Sequence, residues 1–323
     1  MKKIYVTRSI PAPAVEMLEA KGYAVTVSPH ERALTKAELL KALGGQAYDG
    51  VLTLLHDEIN AEVFDAAPSV KIYSNYAVGF NNIDTSEAVR RGVTVTNTPS
   101  DAVNESVAEH TFALLLACMH RIVEGDTFMR AGTYKGWDPN LLIGTDLKGK
   151  TLGAIGAGRI GALVIEKAVR GFGMKVVYFD VVRNERVEKE YGAEYLSSVE
   201  EVLKVADAVT LHVLLTKETQ HLMNAARFAL MKKSAYLINT CRGPVVDETA
   251  LADALSKGII RGAAIDVYEH EPSVAKGLLK LPNIIFTPHI ASATDAARAD
   301  MSTIAAQNLI DFFEGRIPAH VAQ

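Results

Sequence analysis

Three segments in the last third of the chain each end a short apolar run with a residue able to do chemistry. They are Leu237-Ile238-Asn239-Thr240-Cys241-Arg242-Gly243, Ala264-Ile265-Asp266-Val267-Tyr268-Glu269-His270-Glu271-Pro272 and Phe286-Thr287-Pro288-His289-Ile290. Arg242 falls just past a strand's C-terminal end, the edge where open α/β sheets bind ligands. There a guanidinium grips a carboxylate through a planar pair of N–H donors and polarises an adjacent keto oxygen. Hydride transfer to a keto carbon creates an alkoxide that must be protonated, a task suited to a histidine such as His289 near neutral pH. A carboxylate on the other ring nitrogen would orient that imidazole and favour its charged form, and Glu271 follows the neighbouring strand. Each residue alone has an ordinary alternative. Arg242 could be a surface ion-pair partner, and a histidine beside a proline is commonly structural.

A second constellation lies upstream. Thr151-Leu152-Gly153-Ala154-Ile155 reads as a strand, and Gly156-Ala157-Gly158-Arg159-Ile160-Gly161 opens a helix with the pattern GxGxxG. Gly156 permits a tight turn, Gly158 lets the backbone approach a pyrophosphate, and Gly161 lets helix and strand pack closely. The next strand, Val176-Val177-Tyr178-Phe179-Asp180, ends in an acid roughly 20 residues beyond the last glycine, as a dinucleotide site requires. A carboxylate there accepts hydrogen bonds from ribose hydroxyls and repels a 2′-phosphate, so Asp180 favours NAD over NADP. Arg183 and Arg186 follow closely and leave NADP open.

These residues need a scaffold of alternating strands and helices. Lys3 to Thr7 reads as a strand and Pro11 to Lys21 as a helix, with further strands at 23–27, 51–54, 70–74 and 93–95. Such alternation predicts a parallel sheet covered by helices. Glu105 to Met119 reads as a long buried helix and Gly132 to Pro139 as an exposed loop. A second series follows, with strands at 151–155, 175–179, 208–212, 235–239, 262–265 and 284–286, and a last helix over 295–314. The expected fold class is α/β, with two Rossmann-like doubly wound parallel-sheet domains.

The chain has 323 residues, 49 % of them hydrophobic and 22 % charged, with a net charge of −4. That balance gives no basic patch for nucleic acid. No apolar run reaches the roughly 18 residues of a membrane span. The start of the chain enters a strand directly rather than a signal-peptide pattern, so a cytoplasmic location is expected. Cys118 and Cys241 are expected to be reduced thiols. No metal is expected.

The segments GAIGAGRIG (153–161), INTCRGPVVDE (238–248), AAIDVYEHEP (263–272) and TPHIASAT (287–294) resemble the D-isomer-specific 2-hydroxyacid dehydrogenases. The resemblance covers essentially the whole chain and is nearest to the glyoxylate/hydroxypyruvate reductases. It implies two domains around a cleft, usually in a homodimer. Residues 1–99 with 290–323 would bind substrate, and 100–289 would bind the dinucleotide. It further implies that Arg242 binds the substrate carboxylate and carbonyl, that His289 donates the proton and that Glu271 is its partner. Thr240, Asp266 and the Arg159-Ile160 turn would contact the cofactor. The loop Asn75 to Asp84 resembles the family's substrate loop, with Val78 and Gly79 as backbone donors and Leu55 from Thr53-Leu54-Leu55 beside it. Trp137 resembles a tryptophan that reaches the partner subunit's site, although an ordinary packing role would also explain it.

The implied activity is NAD(P)H-dependent reduction of glyoxylate or hydroxypyruvate to a D-2-hydroxy acid. The alternatives are phosphoglycerate, D-lactate or phosphite dehydrogenase, or a non-catalytic NAD-sensing corepressor. The sequence departs from the family pattern at Leu214, where proline is usual, at Cys241, where alanine or serine is usual, and at His56, where a small polar residue is commoner.

Overall fold

The computed structural model describes residues 1–322. The chain divides into two compact units, Met1–Val103 with the segment from Ala293 onward, and Asn104–Ser292.

In the first unit, strands β1 (Lys3–Val6), β2 (Ala24–Val27), β3 (Gly50–Leu54), β4 (Ile72–Tyr76) and β5 (Thr94–Thr96) pair in the order β2-β1-β3-β4-β5. All the pairings are parallel. β3 and β4 are buried at every residue, as strands covered on both faces must be. The helix Asp295–Phe313 supplies part of that cover. The Ser74 hydroxyl donates to the Ala305 carbonyl at 3.0 Å, and the Tyr76 hydroxyl to the Arg298 carbonyl at 3.1 Å. Gly50 is what allows the helix so near, since a Cβ there would come within 2.9 Å of the Phe313 ring.

In the second unit, β6 (Thr151–Ile155), β7 (Lys175–Phe179), β8 (Glu194–Tyr195), β9 (Ala208–Leu211), β10 (Tyr236–Asn239), β11 (Gly262–Ile265) and β12 (Ile284–Phe286) form a second parallel sheet. Its order is β12-β11-β10-β9-β6-β7-β8. The order reverses between β6 and β9, and a crevice opens at such a switch point. Alternation along each strand divides the core between the two faces. Leu152, Tyr178, Ile238 and Ala264 pack on one side, and Ile155, Val209, Leu237 and Ile265 on the other. Each fully buried aliphatic side chain contributes roughly 1.5–3 kcal/mol.

The sequence and the structure differ in places. The boundaries fall after Val103 and Ser292, not after residues 99 and 289. Ile290 and Ala291 stay with the second unit because their N–H groups donate to Asp266 of that unit, at 2.9 Å each. β1 stops at Val6, although the Thr7 N–H still donates to the Leu52 carbonyl at 3.1 Å and its side chain turns to Asp57. β9 stops at Leu211, although the His212 N–H still donates to the Ile155 carbonyl at 2.7 Å. The two-residue β8 and the helix Ile122–Arg130 carry no alternating pattern long enough to be read.

Candidate active site

The glycine turn after β6 is built as its sequence demands. Gly156 has φ +96°, and a Cβ on it would lie 2.3 Å from the His212 carbonyl oxygen. A Cβ on Gly161 would lie 2.1 Å from the Gly156 oxygen, so neither position tolerates a side chain. At Gly158 a Cβ would meet nothing within 4 Å, which leaves open space above the turn. Gly158 caps the helix Arg159–Phe172 without any side-chain hydrogen bond, so its first-turn N–H groups remain for an anion. Arg159 is exposed and Ile160 partly so. Asp180 Oδ2 accepts from the Ala157 N–H at 2.7 Å, and Asn184 donates to the Ala157 carbonyl at the same distance. The acid is therefore held over the turn at the end of β7. An open, glycine-lined, uncapped helix start beside a fixed carboxylate fits a dinucleotide. Arg183 is engaged by Glu188 through Nε and Nη2, each at 2.7 Å, and its guanidinium lies over the Tyr195 ring. Arg186 is exposed.

The chemistry-bearing residues follow β10, β11 and β12, neighbours in the sheet. Arg242 lies past β10 in extended conformation, with Nη1 donating to its neighbour's carbonyl, Cys241 O, at 2.6 Å. Burial lowers the guanidinium from its ordinary value, and the charges of Cys241 and Glu271 act in the opposite direction. Arginine stays charged regardless, and Glu271 lies within its electrostatic reach. Gly243 lets this turn lie against the loop after β11, since a Cβ there would fall 1.8 Å from the Tyr268 oxygen. His289 Nδ1 faces both oxygens of Glu271, at 3.1 Å and 3.0 Å. Glu271 Oε1 also accepts from the Tyr268 N–H at 3.1 Å, which steadies the carboxylate. A carboxylate only accepts, so Nδ1 carries the proton of that bond and Nε2 is the nitrogen that can deliver one.

Asp266 has no exposed surface. Its Oδ1 accepts from the Thr287 hydroxyl at 2.6 Å and the Ile290 N–H at 2.9 Å, and its Oδ2 accepts from Ala291. Burial opposes its charge, yet the nearby His110 ring and hydrogen bonds from Thr287, Ile290 and Ala291 hold it below the usual carboxylate range. The Asp266 carboxylate thus organises the loop that carries His289. His110, on the helix Asp101–Met119, reaches Thr287 Oγ1 at 3.1 Å. Thr240 is buried and paired with Thr111 at 3.0 Å. His110 was not legible in the sequence, because a histidine on an apolar helix gives no sign of what it meets.

In the first unit, the loop after β4 turns its carbonyls inward. Ala77 O accepts from the Thr98 N–H at 2.9 Å, Val78 O from Asn97 at 2.7 Å and Gly79 O from Asn75 at 3.0 Å. Among the described residues none accepts from the Val78 or Gly79 N–H. The carbonyls of this loop are thus engaged, and the Val78 and Gly79 N–H groups are left as its donors. Asn82 donates to the carbonyls of Leu54, at 3.2 Å, and Asp57, at 2.9 Å, so this loop is tied to the one bearing Leu55, which is half-buried. Sequence reading had singled out this loop but not the asparagines that shape it. An asparagine at or one residue before the end of a parallel strand, as with Asn239 and Asn75, was the available signal.

A switch-point glycine turn, with an arginine and a carboxylate-held imidazole at adjacent strand ends, defines a dinucleotide-dependent dehydrogenase. The chain belongs to the D-isomer specific 2-hydroxyacid dehydrogenases, whose NAD binding domain matches residues 112–291. It is 46% identical to a glyoxylate reductase of Thermococcus kodakarensis, over 98% of this chain and 94% of that one. A crystal structure of a Thermus thermophilus protein superimposes with a TM-score of 0.92 at 41% identity, covering 99% of this chain and all of that one. An NADPH-dependent glyoxylate/hydroxypyruvate reductase of Sinorhizobium meliloti, solved in complex with citrate, gives a TM-score of 0.85 at 29% identity. It matches 100% of this chain and 98% of that one.

Among the described residues no cluster of histidine, cysteine and acidic side chains could hold a metal ion. Among the described residues no helix is long and apolar enough to cross a membrane. Both cysteines are free.

Proposed function

We propose that the protein reduces glyoxylate and hydroxypyruvate to the corresponding D-2-hydroxy acids, with NADH preferred over NADPH. A reduced nicotinamide dinucleotide, held through its pyrophosphate by the glycine turn, would supply the hydride. In the second unit Arg242 holds the substrate carboxylate and polarises the carbonyl oxygen; in the first unit the Val78 and Gly79 N–H groups and Leu55 are, by the family resemblance, the substrate-binding residues. His289 hands the proton at Nε2 to the developing alkoxide, and Glu271 keeps the ring oriented. Gly156, Gly158, Arg159, Ile160 and Gly161 form the pyrophosphate cradle. Asp180 accepts from the adenosine ribose, and the Asp180 charge with Arg183 already engaged by Glu188 supports NADH. Thr240 and Asp266 border the cofactor, Asp266 acting through the loop that it organises.

The observation that carries the reading is the His289–Glu271 pair, with Arg242 on the adjacent strand end. Loss of NADH absorbance with glyoxylate and with hydroxypyruvate, repeated with NADPH, tests it. Turnover faster with NADH is expected. Turnover with NADPH alone would overturn the cofactor assignment, and activity confined to phosphoglycerate, lactate or phosphite would overturn the substrate.

We further propose a homodimer. The helix Ile122–Arg130 buries none of its residues, and Ile122, Met129 and Ile143 are each more than half exposed. Trp137 is 84% exposed and reaches, by the family resemblance, into the site of a second copy. Free thiols support a reducing compartment, the cytoplasm.

A further inference from the structure

The loop after β11 carries a second imidazole–carboxylate pair that the chemistry above does not use. Glu269 Oε1 lies 2.6 Å from His221 Nε2, and Glu271, two residues along, faces His289. His221 comes from the turn after β9 and has φ 49°, a left-handed conformation rare for a residue with a Cβ. Its N–H donates to the Pro244 carbonyl at 2.8 Å, and the Met223 N–H donates to the Val245 carbonyl at 3.0 Å. The turn bearing His221 is thus stitched to the turn that begins at Arg242. On the other side, the Glu269 N–H donates to Glu248 Oε1 at 2.7 Å, and the Ala275 N–H to Glu248 Oε2 at 2.8 Å. The buried Glu248 therefore fixes both ends of the loop segment that includes Glu271.

We propose that His221 is a positioning residue for the reaction. Through Glu269 it holds the loop bearing Glu271 in register with the turn bearing Arg242. The Gly243 contact against Tyr268 and the Glu248 hydrogen bonds bring these two segments together on their buried side. The His221–Glu269 bond is directional and closes the frame at its solvent side, where the His221 side chain is 40% exposed. If the frame loosens, Glu271 moves relative to both Arg242 and His289, and the proton donor loses its alignment while the distant glycine turn is unaffected. Small displacements of a reacting group cost rate more than binding.

This rests on the dehydrogenase reading above, and the test separates the two. Steady-state keto-acid reduction would be measured for wild type, His221→Asn, His221→Gln, Glu269→Ala and the Asn/Ala double variant, each with a thermal melt. Asparagine suits the left-handed backbone and is too short to reach Glu269, whereas glutamine retains a donor. His221→Asn and Glu269→Ala should each lower kcat about tenfold, with KM for NADH and the melting temperature near wild type. The double variant should be no slower than either single one, and His221→Gln should recover most of the rate.

Wild-type kcat in His221→Asn would overturn the proposal. So would additive losses, or loss of the fold in both single variants, which would make the pair purely structural. A wild-type protein that reduces no keto acid, or one whose turnover survives His289→Ala, would instead overturn the dehydrogenase reading and this proposal with it.

Discussion

The imidazole of His289 hangs from a backbone with φ 55°, held there by its N–H bonds to the Asp266 and Thr287 carbonyls at 2.8 and 3.0 Å. That conformation costs a residue with a Cβ on the order of 1 kcal/mol, and the Asp266 network offsets it. Removing the ring by His289→Ala should lower kcat by roughly 10²–10⁴ with KM for NADH little changed, as steady-state kinetics would show. Arg242→Lys keeps the charge but loses the planar fork, so KM for the keto acid should rise by about tenfold or more while NADH affinity, followed by fluorescence titration, stays put. His212 belongs to the stability of the same region. Burial pushes its imidazole down from 6.5 to about 4. The folded protein keeps it neutral where the unfolded chain has taken up a proton, so its contribution is complete above pH 6.5 and lost as pH falls towards 4. Chemical denaturation across that window should show a shallower loss for His212→Gln than for wild type. Equal slopes would remove His212 from the account.

The elements that carry these residues were legible where one local pattern decided them. The strand, glycine turn and helix at 151–172 follow from an apolar run, three glycines and the φ of one of them. Gly161→Ala should abolish detectable NADH binding in a fluorescence titration, since its methyl would meet the Gly156 oxygen, and the Gly156 position should be as intolerant. The residues proposed as catalytic were legible as strand-end residue types, and the roles proposed for them came from the family pattern. What stayed hidden was their support. His110, Asn97, Glu248 and Asn75 act through partners far along the chain, and no periodicity announces such a partner. The same holds for unit boundaries, where hydrogen bonds to Asp266 keep Ile290 and Ala291 with the second unit, past the residue 289 that the family resemblance implies.

At the scale of the whole molecule, the exposed apolar surface of Ile122–Arg130 and the loop beyond it bears on association. If it is the face of a dimer, Met129→Glu should shift the light-scattering mass from two chains to one at micromolar concentration. An unchanged mass would place the contact elsewhere or leave the chain a monomer. The helix Asp295–Phe313 carries a different consequence. Ser74 and Ala305 are 231 residues apart, so the first unit is sealed by a segment that must return from far along the chain. Until that segment docks, Ser74, Tyr76 and the gap over Gly50 have no cover, whereas the second unit is one continuous stretch. Closing so long a loop delays the contacts that reward it, so the second unit can gain protection before the first. Protease pulses during refolding should therefore spare the second unit early and cut the first until late, and simultaneous protection of both would remove the helix from this account.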